Sequence, residues 1–201
     1  MQLDELSKEI VKICKILRQT KLVNATHGNV SARLGNTMLI TPTGSDFDLL
    51  DYKEIVLMDI PTGKVISQGK PSKEYEMHLL AYRKRPDISA VIHAHCPKTV
   101  ALSCTDIENM DDMVPAYTLA FAIFTKHLPL VGYYKAGSLE LAQKATDKLI
   151  DKNAVALKHH GIIVVADTLI KALYRVEEIE ENSDIALSIG TKCHALNPEN
   201  L

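Results

Sequence analysis

Two histidine pairs give this 201-residue chain its clearest capacity for chemistry. His93 and His95 stand two residues apart in AVIHAH, an apolar run that predicts a buried strand. Side chains at i and i+2 of a strand share one face, so both imidazoles can bind the same metal ion. His159 and His160 are adjacent, so only one of them can face that ion. Three imidazoles from two strands, with an open fourth position, are the ligand pattern of a catalytic zinc site.

One carboxylate stands at the start of a predicted helix, Ser72–Lys84, for which Ser72 is the predicted N-cap after a proline. Glu74 follows two residues later, and three interpretations of it stay open. It completes a capping box, it binds a metal, or it acts as a general base. His78, one turn further along, either supports the same site or lies on the surface.

Three polar segments share the character of an anion site. Gly28 and Asn29 offer a flexible backbone and an amide, and Thr41–Gly44 offers hydroxyls and a backbone opened by glycine. Pro71–Glu74 opens a helix, whose first N–H groups favour an anion. Turn chemistry alone also explains each segment singly, so phosphate binding is a hypothesis at this point.

Helices and strands alternate around these segments, and several neighbouring strands are predicted to be antiparallel. The pattern predicts one domain over residues 1–201, an α/β sheet covered by helices on both faces. The stretch Asn24–Arg33 is interpreted as a polar loop. Predicted helices cover about Leu3–Thr20, Ser72–Lys84, about Lys98–Ser103, Leu139–Leu149, and Asp167 or Thr168 to about Ile189; predicted strands are Met38–Thr41, Ile55–Ile60, Lys64–Ser67, Ala90–His95, Leu128–Val131 and two within Ala154–Val165.

Composition excludes several other classes of protein. Apolar residues make up 46% and charged residues 24%, which is ordinary for a globular domain and unlike disorder. A net charge of −2 and the absence of Trp argue against a nucleic-acid partner, which needs basic or stacking surfaces. No signal peptide or membrane span is predicted. The four cysteines are scattered, which fits a reducing compartment and predicts a cytoplasmic protein; they are Cys14, Cys96, Cys104 and Cys193.

The blocks THGNVSAR, LITPTG, KPSKEYEMH, AVIHAH and LKHHG, in this order, closely resemble the class II aldolase/adducin-like family. The resemblance covers nearly the whole chain, and the combination is specific although each block alone is weak. It implies a three-layer α/β/α sandwich with a central mixed, largely antiparallel sheet of a nine-strand type. It also implies a homotetramer with fourfold symmetry, whose active sites lie at subunit interfaces.

The resemblance implies a role for particular residues. Zn²⁺, or another divalent metal, would be bound by His93, His95 and His160, the second histidine of HHG being the ligand in the family's metal enzymes. Glu74 would be the acid/base and a fourth ligand when the site holds no substrate. The phosphate of the substrate would be held by Asn29, Thr43, Gly44 and Ser72, with Gly28 beside Asn29 in the same loop.

The implied function is that of a zinc-dependent lyase. It would cleave a C–C bond in a small phosphorylated keto sugar or sugar acid through a metal-stabilised enediolate. The first expectation is retro-aldol cleavage of the L-fuculose-phosphate-aldolase type, giving dihydroxyacetone phosphate and an aldehyde. The alternative is decarboxylation of a 3-oxo-tetronate 4-phosphate. An epimerase, a dehydratase and a non-catalytic adducin-like interaction module are less favoured, because the three histidines and Glu74 are all present.

Three departures from the aldolase pattern favour decarboxylation. Lys73 replaces a second serine, and Leu119 stands where the aldolase has a tyrosine, with Tyr117 two residues away. The chain ends at Leu201, short of the tail that carries another aldolase tyrosine. Lys73 either orients a carboxylate of the substrate or is a solvated lysine at the start of a helix.

Overall fold

A seven-stranded sheet between two helix layers forms the framework of the computed structural model, which describes residues 2–189 and 194–200. The helices are α1 (Gln2–Gln19), α2 (Tyr75–Lys84), α3 (Pro97–Ser103), α4 (Leu119–Phe124), α5 (Leu139–Lys148) and α6 (Leu169–Ser188). The strands are β1 (Asn29–Leu34), β2 (Thr37–Ile40), β3 (Val56–Asp59), β4 (Ala90–Ala94), β5 (Leu130–Val131), β6 (Ala154–Leu157) and β7 (Gly161–Ala166). The predicted α/β/α sandwich is confirmed.

The strands follow the order β3-β2-β1-β4-β7-β6-β5 across the sheet. Every neighbouring pair is antiparallel except β5 and β6, which are parallel, so the sheet is mixed and largely antiparallel as predicted. Seven strands in the described residues replace the expected nine. The predicted strand Lys64–Ser67 is one difference, since it follows the turn after β3 and only its Val65 pairs, through a single bridge to Met58.

Burial on both faces explains why the central strands read as continuous apolar runs. One face packs against α1, α3 and α6 through residues such as Ile92 and Ala94, and the other against α2 and α5 through residues such as Val91. Successive side chains of a strand alternate between faces. His93 therefore lies on the same side as Val91, facing the layer that contains α2.

Three local predictions are corrected by the structure. The polar stretch Asn24–Arg33 contains strand β1, because Val30 and Ala32 alternate with polar residues and pack into the core. Helix α4 was not predicted; Thr118 caps it by accepting a hydrogen bond from the Phe121 amide at 3.1 Å. Ser72 is not the N-cap of α2, because the helix begins at Tyr75 and Glu74 takes the N-cap position; the Ser72 amide donates instead to the Thr41 carbonyl at 3.1 Å.

The described residues also bear on the chain's environment. None of their helices combines the length and apolar character that a bilayer crossing needs. Cys14, Cys96 and Cys104 are free thiols, the first two buried and the third exposed. Cys193 lies outside the described residues.

Candidate metal centre

Three imidazole rings converge at the end of β4. The ring centroids of His93 and His95 lie 4.8 Å apart, those of His93 and His160 also 4.8 Å, and those of His95 and His160 4.7 Å. His93 is fully buried, whereas His160 keeps 13% of its side chain exposed. The three rings thus form a nearly equilateral group with one side toward solvent.

A hydrogen bond fixes which nitrogen of His93 faces the group. Its Nδ1 lies 2.8 Å from the Ile162 carbonyl oxygen, which can only accept, so Nδ1 carries the proton. In the neutral ring Nε2 is then a bare lone pair. That nitrogen lies 2.9 Å from His95 Nε2, so two ring nitrogens face each other across the centre of the group. Such outer hydrogen bonds commonly orient metal-binding histidines.

Glu74 completes the group from the start of α2. Its Oε2 lies 3.2 Å from His93 Nε2, and its Oε1 lies 3.2 Å from His160 Nε2. Oε1 is nevertheless buried without a hydrogen-bond partner of acceptable geometry. Burial raises the pKa of the Glu74 carboxyl, but the close approach of His93 and His160 outweighs burial and lowers that pKa well below its ordinary value. The carboxylate is therefore ionised at neutral pH.

Glycines allow the strands to approach closely enough to form the group. A Cβ on Gly161 would lie 2.3 Å from the Ala94 carbonyl oxygen, so only glycine fits there. A Cβ on Gly28, whose φ is +94°, would lie 2.9 Å from the His93 carbonyl oxygen. Both contacts surround the segment that carries His93 and His95.

The turn between β6 and β7 separates the two adjacent histidines. His159 has a positive φ of 59°, is exposed, and places its Nδ1 3.1 Å from Cys104 Sγ. His160 points the other way, into the group. The geometry thus selects His160 of the two histidines that the sequence left open.

These four side chains fit a divalent metal ion. Their ligand atoms all lie within 4.8 Å of one another, and they comprise three imidazole nitrogens and one carboxylate oxygen. Burial, followed by the charges of His93 and His160, lowers the pKa of His95 to about 3, so its ring is neutral and can donate a lone pair. The unpartnered Glu74 Oε1 and the facing ring nitrogens are unfavourable without a cation between them. Zinc accepts this donor set.

The three polar segments lie side by side next to this group. Thr41 joins the first two: its hydroxyl accepts from the Val30 amide at 3.2 Å, and its own amide donates to the Val30 carbonyl at 3.1 Å. The third joins through Ser72, whose amide donates to the Thr41 carbonyl, and through the bridge between Pro42 and Pro71. Around them, Thr43, Gly44 and Lys73 are exposed, whereas Ser72 is buried and accepts from the Glu74 amide at 3.3 Å.

Two neighbours of the group were not predicted to touch it. Asn29 lies directly across from His93 in the β1–β4 register, and its Nδ2 donates to Glu74 Oε2 at 3.1 Å. His27, interpreted only as a loop residue, stacks on His95 with ring centroids 5.2 Å apart. The alternation of polar and apolar residues after Gly28 was the available signal for the strand that carries Asn29.

A separate cleft of about 550 Å³ lies beside α6 and shares no residue with the group. Its cations are already engaged. Arg85 pairs with Asp87 at 2.6 Å, and Arg175 donates to the Val165 carbonyl at 2.7 Å. The charged side chains of the cleft are therefore less available for catalysis than those of the histidine group.

Comparisons with known proteins agree with this geometry. Residues 8–187 match the family described as Class II Aldolase and Adducin N-terminal domain. The chain is 38% identical over 180 residues to the L-fuculose phosphate aldolase of Methanocaldococcus jannaschii, covering 90% of this chain and 94% of that one. It is 31% identical over 163 residues to the 3-oxo-tetronate 4-phosphate decarboxylase of Haemophilus influenzae, covering 81% and 77%. The solved structure of YgbL from Escherichia coli, described as an aldolase, epimerase or decarboxylase, matches with a TM-score of 0.94 at 28% identity, covering 100% and 99%.

Proposed function

Because this chain belongs to the class II aldolase and adducin N-terminal domain family, we propose that it is a zinc-dependent lyase that cleaves a C–C bond in a small phosphorylated keto sugar or sugar acid. The observation that carries the proposal is the convergence of three imidazoles on a buried, ionised carboxylate. A non-catalytic interaction module has no need of such a group, because burying several polar and charged side chains close together costs stability.

His93, His95 and His160 would hold the metal. When bound, a divalent cation supplies Lewis acidity to the substrate's carbonyl and hydroxyl oxygens. His93 is oriented for this role by its hydrogen bond to the Ile162 carbonyl. The buried wall around His93 and Asn29 excludes water from one side of the group, while the partly exposed His95 and His160 border the side open to substrate.

Glu74 is proposed as the group that moves protons. Its Oε1 lies 3.2 Å from His160 Nε2 but makes no hydrogen bond of good geometry, so this oxygen would accept a proton from a substrate hydroxyl or carbon and return it. Its Oε2 is held by Asn29 at 3.1 Å. One carboxylate oxygen is thus fixed and the other available.

The neighbouring polar segments are proposed to bind the phosphate. Thr43 and Gly44 are exposed, and the Pro42–Pro71 bridge holds their segment beside the one that contains Ser72, so polar groups of two segments would face the phosphate together. Asn29 has a second N–H that its bond to Glu74 leaves free. Contacts remote from the breaking bond position a substrate and so accelerate the reaction.

Decarboxylation is the second candidate reaction, and Lys73 favours it. This lysine is exposed, directly precedes Glu74, and forms no ion pair with the part of the chain that the structure describes. A 3-oxo acid carries a carboxylate that an aldol substrate lacks, and a free cation next to the acid/base could orient it. Leu119, at the position of the aldolase tyrosine, is 57% exposed on α4 and offers no acidic proton.

The protein is further proposed to be a cytoplasmic homotetramer with active sites at its subunit interfaces. Support comes from the exposed apolar side chains on α4 and the adjacent part of α6, which a second copy would cover. They are Leu119, Ile123, Phe124 and Tyr174. Light scattering of the purified protein would give the mass of the assembly directly.

A substrate panel tests the proposed reaction. L-fuculose 1-phosphate, L-ribulose 1-phosphate and a 3-oxo-tetronate 4-phosphate would each be incubated with the zinc-loaded protein. Dihydroxyacetone phosphate and CO₂ would be measured in parallel. Retro-aldol cleavage predicts dihydroxyacetone phosphate from a sugar 1-phosphate without CO₂. Decarboxylation predicts CO₂ and dihydroxyacetone phosphate in equal amounts from the 3-oxo acid, because loss of CO₂ and protonation of the resulting enediolate leave that same triose phosphate. If no substrate in the panel is cleaved, the proposed lyase function is wrong for these compounds.

A further inference from the structure

Helix α2 and strand β1 join through a continuous chain of hydrogen-bonded side chains that ends on Glu74. Glu74, His78 and Tyr82 stand four residues apart, and Asn29 and Ser31 stand two apart. Four helical residues rise about 6 Å and two strand residues about 6.8 Å, so the two stripes stay in step. This commensurate spacing lets each side chain touch the next across the interface.

The contacts alternate between the two elements without a gap. Asn29 Nδ2 lies 3.1 Å from Glu74 Oε2, and Asn29 Oδ1 lies 2.5 Å from His78 Nε2. On the other side of the ring, His78 Nδ1 lies 2.7 Å from Ser31 Oγ, which lies 2.9 Å from the Tyr82 hydroxyl. His78, Ser31 and Tyr82 are almost completely buried, so water cannot substitute for any of these bonds.

The donor and acceptor groups at the Glu74 end of this hydrogen-bond series fix the direction of every bond in it. Asn29 presents its NH₂ to Glu74 Oε2 at 3.1 Å, so its amide oxygen, which can only accept, faces His78. His78 Nε2 must then carry a proton and donate. In the neutral ring Nδ1 accepts from Ser31 Oγ, and Ser31 accepts from the Tyr82 hydroxyl. Burial, with a smaller effect of the His93 charge, lowers the pKa of His78 to about 3, in agreement with a neutral ring.

We propose that His78 is a positioning residue for the proposed reaction: its Nε2–H holds the Asn29 amide in the one orientation that donates to Glu74 Oε2 and leaves Oε1 directed at the histidine group. This inference rests on the proposed function for Glu74. A flipped Asn29 would present its oxygen to the carboxylate, and repulsion would turn the carboxylate away. A displacement of about 1 Å of a catalytic group can cost 10²-fold in rate.

The tautomer of His78 is the first test, because it is read without any turnover. The protein as purified would be labelled with ¹⁵N-histidine, and long-range ¹H–¹⁵N correlations would be recorded at pH 7. We expect His78, assigned by its loss in His78→Gln, to be the neutral Nε2–H form. A neutral ring protonated on Nδ1 would leave no donor facing Asn29 and would overturn the proposal even if the enzyme is fully active, whereas an imidazolium would retain the Nε2–H bond to Asn29 and support it.

Two variants, each replacing one of the two ring nitrogens with an amide, test the consequence for catalysis. His78→Gln can keep a donor near the Nε2 position, whereas His78→Asn can replace only the Nδ1 side. We expect kcat of His78→Asn to fall about 10–100-fold with KM changed less than about twofold, and kcat of His78→Gln to stay within about threefold. Zinc content should be unchanged in both.

Equal losses in the two variants would show that His78 serves packing alone and would overturn the positioning role. Failure of the proposed function gives a different pattern. If no substrate is cleaved but the Nε2–H tautomer is found, the orientation of Asn29 and Glu74 stands while the assigned reaction is wrong.

Discussion

At the scale of single residues, a backbone conformation decides which of two identical side chains belongs to the candidate metal site. His159 takes a left-handed φ of 59° in the β6–β7 turn, and its ring lies beside Cys104. The next residue, His160, thereby turns its ring toward His93 and His95. The pattern HHG left this choice open, because chain spacing does not specify a turn's dihedral angles.

This choice predicts different effects of the same substitution at adjacent positions. His160→Asn should lower the zinc content of the purified protein from about one ion per chain, since only two imidazoles and Glu74 remain. His159→Asn is the matched control, because Asn tolerates a positive φ and the side chain lies outside the group. Zinc would be measured by mass spectrometry of dialysed protein. Loss of zinc in the His159 variant, or full retention in the His160 variant, would contradict the assignment.

Glu74 allows a second comparison of neighbours. Glu74→Gln should retain zinc on the three histidines but lose the proton-transfer group, so kcat should fall about 10²–10⁴-fold. Glu76→Gln, two residues along α2, changes the same chemical group without touching the histidines and should retain kcat within about twofold. Steady-state kinetics on the cleaved substrate measures both. Turnover close to wild type in Glu74→Gln would remove this residue from the mechanism.

At the scale of elements, contact between β4 and β7 depends on the absence of a side chain at Gly161. A Cβ there would lie 2.3 Å from the Ala94 carbonyl oxygen, a backbone atom that cannot move alone. Ala94 stands between His93 and His95. The close packing of β4 against β7 therefore helps to determine where His93 and His95 lie in the candidate metal site.

Gly161→Ala should lower both stability and metal affinity. Overpacking of this kind typically costs about 1–3 kcal/mol in the free energy of unfolding, and here the strand displaced is the one that carries His93. Gly132→Ala is the control, because no atom lies within 4 Å of a Cβ built there. Urea unfolding of the metal-free proteins, with zinc titrations in parallel, measures the two effects. A Gly161 variant as stable as the Gly132 variant would refute the close approach.

Elements also show how far the sequence could predict the site. The strand of AVIHAH and the strands flanking HHG were predicted because both faces are buried, which leaves continuous apolar runs. Strand β1 was missed since Asn29 and Ser31 are polar although fully enclosed. Their partners are His78 and Tyr82 on α2, more than forty residues away in the chain. The alternation of Val30 and Ala32 with these polar residues signals a strand, but the pairing between distant polar residues leaves no trace in the sequence of either segment.

At the scale of the whole molecule, the groups proposed for catalysis lie on one side of a sheet that has an apolar core on both faces. The layer of α1, α3 and α6 packs against apolar residues of every central strand. The opposite layer is interrupted where α2 meets β1 and β4, and there buried polar groups replace apolar ones. Burying such groups costs stability unless each is hydrogen-bonded. Both sides of the sheet thus have a hydrophobic core, and the groups proposed for catalysis lie where the core on the α2 side is interrupted.

This arrangement predicts how stability depends on pH. His78 has a folded pKa of about 3 against 6.5 when unfolded, because burial disfavours its charged form. Below pH 6.5 the unfolded chain therefore binds a proton that the folded chain does not, and the free energy of unfolding falls as pH falls. Between pH 6.5 and 5, above the range of ordinary carboxyls, His78 should contribute a loss of about 1.5–2 kcal/mol, since one pKa unit is worth about 1.4 kcal/mol. The pKa of His95 is lowered in the same sense, so His95 adds its own loss of stability.

The variant His78→Gln isolates the contribution of His78, because glutamine does not titrate. Its free energy of unfolding should depend on pH with a slope shallower by one proton, while His95 contributes equally to both proteins. Urea unfolding of chelator-treated wild type and variant across this range measures the difference. Identical slopes would mean that His78 is protonated in the folded protein. Its Nδ1 would then donate to Ser31, and Ser31 to Tyr82, opposite to the directions assigned above, while Nε2 would still donate to Asn29.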